Sequence, residues 1–97
     1  MIVRIREEAE REDAFDHYEQ QRQGLALELL DEHVRAAHKI VERPLGWPAN
    51  PAHSDARRCR LDRFPYALVY RIEPTQCMII AVAHLKRRPG YWIERMK

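Results

Sequence analysis

Two apolar runs near the C-terminus, Phe64-Pro65-Tyr66-Ala67-Leu68-Val69-Tyr70-Arg71-Ile72 and Met78-Ile79-Ile80-Ala81-Val82-Ala83-His84-Leu85, flank the polar turn Glu73-Pro74-Thr75-Gln76. Runs rich in β-branched and aromatic residues read as strands, and so short a connection leaves only antiparallel pairing, because parallel neighbours need a crossover of about a dozen residues or more. The spacing predicts strands over Tyr66–Ile72 and Cys77–Leu85, with a shorter one before them over Arg57–Leu61 and a turn at Asp62-Arg63. The last strand runs straight into Lys86-Arg87-Arg88-Pro89-Gly90-Tyr91-Trp92, so a histidine, three consecutive cations and two aromatics arrive together at the border of the predicted meander. That combination suits an anionic counterpart.

The N-terminal half carries a different pattern. Met1 to Arg6 alternates Ile2, Arg4 and Arg6 against Val3 and Ile5, which reads as a first strand. From Glu7 to about Arg22 the residues are strong helix formers, with carboxylates in the first turns where the helix dipole favours them. The apolar positions there are few, chiefly Ala14, Phe15 and Tyr18, so a largely solvent-facing helix is expected. Gly24 breaks the pattern as a left-handed cap does, and a second helix follows at once. In it Leu27, Leu30, Val34, Ala37 and Val41 recur at spacings of three and four, which predicts the core face, widened by Leu29, Ala36 and Ile40. So short a link makes the two helices an antiparallel hairpin. Arg43-Pro44 ends the second helix, and Pro44, Gly46, Pro48, Asn50 and Pro51 predict a loop to about Ala56, in which Trp47 is expected to pack back on the hairpin or on a partner. The sum is one α+β domain over residues 1–97: N-terminal strand, antiparallel helix hairpin, then a three-stranded antiparallel meander.

Charge is unevenly shared along this chain. Arg57 to Lys97 holds ten Lys/Arg and three Asp/Glu, whereas Met1 to Ala56 holds seven and twelve, so a net charge of +2 conceals a basic C-terminal part and an acidic N-terminal one. With 45% apolar and 33% charged residues the composition is that of a globular chain. No apolar run is long enough to span a bilayer and no signal-peptide pattern opens the sequence, so the cytoplasm is the expected location and no membrane partner is expected. Cys59 and Cys77 fall inside predicted strands and match no redox or zinc spacing, which predicts buried, reduced thiols. His33 and His38 are five apart on a helix and point to different faces, so no metal site is expected from them. The only glycines, Gly24, Gly46 and Gly90, form no phosphate cradle, and no cofactor is indicated.

The order strand, helix, helix, strand, strand, strand resembles the RelE/ParE superfamily, the toxic halves of type II toxin-antitoxin modules. The strings Gln21-Arg22-Gln23-Gly24-Leu25, Arg63-Phe64-Pro65-Tyr66, Val69-Tyr70-Arg71 and His84-Leu85-Lys86-Arg87-Arg88-Pro89-Gly90-Tyr91-Trp92 carry the resemblance. It implies a scaffold with at least two functions. RelE-like members cut messenger RNA on the ribosome, and ParE-like members poison DNA gyrase. The RelE-like pattern places an arginine directly after the tyrosine of the middle strand and lysines where Arg58 and Arg60 stand; here Tyr66 is followed by Ala67. Phe64-Pro65-Tyr66 followed by a small residue is closer to the ParE-like branch, which implies a gyrase inhibitor neutralised by a cognate antitoxin. A RelE-like ribosome-dependent endonuclease and a non-toxic binding module on the same fold are the alternatives.

Metal-free cleavage of RNA needs a proton acceptor, cations on the phosphoryl oxygens and an acid for the leaving group. The residues available for it are Arg58, Arg60, His84, Arg87, Arg88 and Tyr91, although arginine is a poor base. As a docking surface for target or antitoxin, the expected residues are Arg58, Arg60, Lys86, Arg87, Arg88, Tyr91 and Trp92, with Phe15, Tyr18 and Trp47 as apolar anchors. Each has a plainer reading beside it. His84, on one predicted face with Met78, Ile80 and Val82, is equally a structural histidine; Trp92 caps the core; Arg58 and Arg60 pair with the acidic first helix.

Overall fold

Residues 2–5, 8–51 and 53–96 are described by a computed structural model, with side chains from Glu10 onward. Strand β1 (Ile2–Ile5) leads into helices α1 (Glu8–Gln21) and α2 (Leu25–Glu42), followed by β2 (Ala49–Asn50), β3 (His53–Arg60), β4 (Tyr66–Ile72) and β5 (Gln76–His84), and a single 3-10 turn over Ile93–Met96. The sheet has the order β1-β5-β4-β3-β2, antiparallel except for β1, which pairs parallel with β5 from Ile2 opposite Gln76 to Ile5 opposite Ile79. The expected meander is thus β3-β4-β5, with one further strand on each side. Met1, Arg6 and Glu7, assigned by sequence to the ends of the first strand and helix, lie outside the described residues. The proline loop is shorter than expected: β2 and the first half of β3 occupy residues assigned to it, because β3 begins at His53 rather than Arg57.

One sheet face carries Cys59, Leu61, Tyr66, Leu68, Tyr70, Cys77, Ile79 and Val82 against the helix hairpin. The part of the expected α2 face that turns inward is its widening flank, not its centre. Leu29, Ala36 and Ile40 are buried at 2%, 5% and 0% exposure, whereas Leu27, Leu30 and Val34 stand 70%, 38% and 44% exposed. The rotation has a polar cause. Glu32 is buried beside the core stripe, where its Oε1 accepts the backbone N–H groups of Asp62 and Arg63 at 2.8 and 2.9 Å and its Oε2 accepts Arg63 Nε at 2.8 Å. Three charge-assisted bonds fasten the β3–β4 turn to that side of the helix, and the Leu27-Leu30-Val34 stripe, on nearly the opposite side from Glu32, faces outward. Between the helices Gly24 has φ of 89°, and Glu19 of α1 accepts the N–H groups of Gly24 at 3.1 Å and Ala26 at 3.2 Å, so α1 supplies the cap of α2.

The opposite face is covered by the chain's own C-terminus. Ala56, Val69, Ile80, Ala81, Trp92 and Met96 form a second apolar layer. Gly90, with φ of 77°, turns the chain back over the sheet, and a Cβ there would come within 2.9 Å of Ile93 Cδ1. Arg71 ties down the far end, donating from Nη1 to the Met96 carbonyl at 2.8 Å while its Nη2 bonds Glu73 at 2.7 Å. Cys59 and Cys77 are free and buried, and burial pushes both thiols up in pKa.

Candidate functional site

Of the residues named from sequence, Arg58, Arg87 and Arg88 meet on the face away from the helices. Cys59 of β3 and Leu61 just after it belong to the helix-side core, so Arg58 and Arg60 emerge on the other side by the two-residue period of a strand. There a cavity of about 150 Å³ opens between β3, β4 and the segment after β5, with Arg58, Arg87 and Arg88 around it and Ala67, Val69 and Ala83 on its floor. Asn50, His84, Tyr91 and Trp92 complete its walls. Arg58 and Arg60 also line a shallow groove along the proline loop, with Trp47, Pro48, Pro51 and Pro89. Among the described residues no carboxylate pairs with Arg58, Arg60, Lys86, Arg87 or Arg88, so pairing of Arg58 and Arg60 with the acidic first helix is not what the fold does.

A bulge sets which side His84 takes. Val69 faces Ala81 and Tyr70 faces Ile79, leaving Ile80 as an extra residue in β5. Ile80 and Ala81 both belong to the outer layer, and Val82 returns to the helix side. The expectation that His84 shares a face with Met78 and Ile80 is therefore corrected: only Val82 lies on its side. The His84 ring stands edge-on to Tyr66 at 5.1 Å, and Tyr66 in turn to Tyr18 at 6.1 Å. Its Nδ1 accepts the Lys86 backbone N–H at 3.0 Å, which places the neutral ring's proton on Nε2.

Tyr91 is engaged from two sides. Its hydroxyl donates to Glu10 Oε2 at 2.8 Å, and the Arg87 guanidinium carbon lies 3.9 Å above its ring centre. Burial and the Glu10 bond push the phenol up to about 12, so it stays protonated at ordinary pH. Glu10 also accepts the Val82 N–H at 2.8 Å and Arg95 Nη1 at 3.1 Å on Oε1, and Arg95 Nη2 at 3.2 Å on Oε2. Burial alone would raise the Glu10 carboxyl, but the bonds from Arg95, Tyr91 and Val82 outweigh it and hold the group below the ordinary carboxylate range. Nothing in the sequence sets Glu10 apart from its acidic neighbours; only the fold brings it to the border of β5.

The remaining candidates are partly or wholly structural in placement. Trp92 is 4% exposed and closes the outer layer beside the cavity. Phe15, Tyr18 and Trp47 are half-buried against the helix-side core, Tyr18 edge-on to Phe64 at 5.0 Å and Trp47 edge-on to Tyr70 at 6.4 Å. The Trp47 carbonyl accepts Arg57 Nη1, and the Pro44 carbonyl accepts the Tyr70 hydroxyl, so the proline loop is fixed to the sheet at two points. Among the described residues no cluster of His, Cys, Asp and Glu is arranged to hold a metal, and no helix is long and apolar enough to cross a membrane.

No family model matches the chain, and a search of curated proteins finds no match either. Among solved structures it is similar to a chain described as "Chromosomal ParDE TA system from P. aeruginosa", with a TM-score of 0.74 and 17% identity over 87% of this chain and 95% of that one. The shared property is the fold: a two-helix hairpin on one side of a mainly antiparallel sheet.

Proposed function

We propose that this chain is the toxin of a type II toxin-antitoxin module, of the ParE-like kind that acts by binding DNA gyrase, and that a cognate antitoxin neutralises it. The likeness in fold to a chain of a ParDE system supports the module. The choice of branch rests on one observation. Ala67, where the RelE-like pattern carries arginine, is fully buried on the cavity floor, and neither polar ring beside it is poised to take a proton. His84 Nδ1 is already occupied by the Lys86 N–H, and the Tyr91 hydroxyl already donates to Glu10. Unpaired guanidinium groups around an apolar floor bind and orient an anionic surface, whereas cleavage also needs a competent base.

The antitoxin would meet two surfaces. An acidic segment suits the rim of Arg58, Arg87 and Arg88, and the stripe of Leu27, Leu30 and Val34 suits the apolar side of an amphipathic helix. Charge at the rim governs the encounter, so the association rate falls as salt is raised; a rate indifferent to ionic strength would remove the rim from the docking surface.

The deciding experiment is production of the chain without antitoxin, scored for growth, for gyrase-trapped DNA breaks with purified gyrase, and for loss of full-length message. Growth arrest with trapped breaks is expected. Arrest with messages cut inside codons would replace this reading with the ribosome-dependent endonuclease, and unaffected growth would replace it with a non-toxic binding module.

A further inference from the structure

We propose that Glu10, on the first turn of α1, is a positioning residue for the cationic cavity on the opposite side of the sheet, acting through Tyr91 on Arg87. The inference rests on the reading of that cavity as the anion-facing surface of the molecule. It begins at the end of β1. Among the described residues that strand pairs as far as Ile5 opposite Ile79, while β5 continues to His84. Backbone groups there need partners. Glu10 Oε1 takes the Val82 N–H at 2.8 Å, and Arg95 Nη1 donates to the Ile80 carbonyl at 3.2 Å. One carboxylate and one guanidinium thus take up backbone groups of β5 at the bulge.

The same carboxylate reaches further. A carboxylate has about four lone-pair directions, and Glu10 uses them on Val82, on Tyr91 and on both terminal nitrogens of Arg95. With Arg95 neutralising it, Glu10 takes no charge away from the cavity. Its bond fixes the Tyr91 hydroxyl, and hence the ring plane. Donation to an anion also makes a phenol ring richer in electrons, which strengthens its hold on a cation above its face. The cation held is Arg87, 3.9 Å from the ring centre, and Arg87 lines the cavity with Arg58 and Arg88. An exposed arginine otherwise samples many rotamers and must give up that freedom on each binding event. The chain Glu10–Tyr91–Arg87 removes that cost beforehand, so an anion meets a guanidinium already in place.

The test uses the full-length chain, labelled with nitrogen-15, and inorganic phosphate as probe, with binding read from the arginine Nε–Hε signals. Tyr91→Phe keeps the aromatic face and removes the link to Glu10; Glu10→Gln keeps the size and removes the charge. Each is expected to weaken phosphate binding by about threefold to tenfold. The Arg87 side-chain signal should also become more mobile in both. In an Arg87→Ala background Glu10→Gln is expected to change affinity no further, which a general loss of stability would not reproduce. Should Glu10→Gln fail to fold, Tyr91→Phe alone decides. Phosphate affinity and Arg87 order unchanged in Tyr91→Phe, an equal loss from Glu10→Gln with and without Arg87, or no phosphate binding by the unsubstituted chain would each overturn the proposal. Growth arrest is scored separately, so a chain that shows the Glu10 effect but arrests no growth would remove the toxin reading and leave the positioning role standing.

Discussion

His33 makes the stability of the fold sensitive to mild acid. It sits on the buried side of α2 at 6% exposure, and its Nε2, like the Nε of Arg11, is buried without a hydrogen-bond partner among the described residues. Burial first, and the Arg11 cation second, depress it from 6.5 to about 4. The unfolded chain therefore takes up a proton near pH 6.5 that the folded chain refuses until about pH 4. The contribution is whole above pH 6.5 and is lost as pH falls through that window. A gap of this size corresponds to about 3 kcal/mol in all, of which about 2 kcal/mol is gone by about pH 5. Glu10, Glu28 and Glu73 are held below the ordinary carboxylate range and also weaken the fold on acidification, but chiefly below the carboxylate value of 4.5, so the interval from about pH 6.5 to 5 belongs to His33. Urea unfolding followed by fluorescence of Trp47 and Trp92 at a series of pH values measures it. The His33→Leu variant should show a nearly flat stability from pH 7 to 5, where the parent loses about 2 kcal/mol. An equal slope in both proteins would refute the argument.

Other consequences are simpler to read. Ile40→Ala should cost about 2–5 kcal/mol in the same urea assay and Leu27→Ala less than about 0.5, the reverse of what the spacing of α2 alone implies. Gly90→Ala should cost about 1–3 kcal/mol, through the positive φ and the contact with Ile93, and should shift the Trp92 emission to the red as the outer layer loosens. Glu32→Ala should cost about 2–4 kcal/mol, because it strips acceptors from the Asp62 and Arg63 N–H groups, and amide exchange in the β3–β4 turn should rise before exchange elsewhere.

What the sequence disclosed and what it withheld divide along a physical line. The meander was legible because Tyr66–Ile72 and the run after Cys77 are continuous apolar segments with turn residues between them, a local signal. The hairpin was legible because Gly24 stands alone between two helix-forming stretches, and its φ of 89° is the conformation that glycine takes most readily. The inward face of α2 was legible only in part, since Leu29, Ala36 and Ile40 could be named as its flank but Leu27, Leu30 and Val34 as its centre. Leu27-Leu30-Val34 and Leu29-Ala36-Ile40 are stripes about 130° apart, and the choice between them is made by Glu32, whose partners lie about thirty residues further along the chain. Likewise the cations Arg58, Arg87 and Arg88 could be named from composition, but their meeting across β4 depends on strand pairing. Glu10 was invisible for the same reason: its partners Val82, Tyr91 and Arg95 are brought to it by the parallel pairing of β1 with β5.

The bulge at Ile80 has a consequence for how such a chain tolerates change. With one residue inserted, the two halves of β5 are out of step, so the half before it answers to β1 and the half after it answers to the basic terminus. Ironing the bulge out with Ile80 retained would leave the sheet paired but send Val82 and His84 to the outer side, whereas deleting Ile80 itself would make the pairing regular and leave both where they are. Substitutions within the rim adjust its strength; one residue more or fewer between Ala81 and His84, where the strand is regular, would re-aim it.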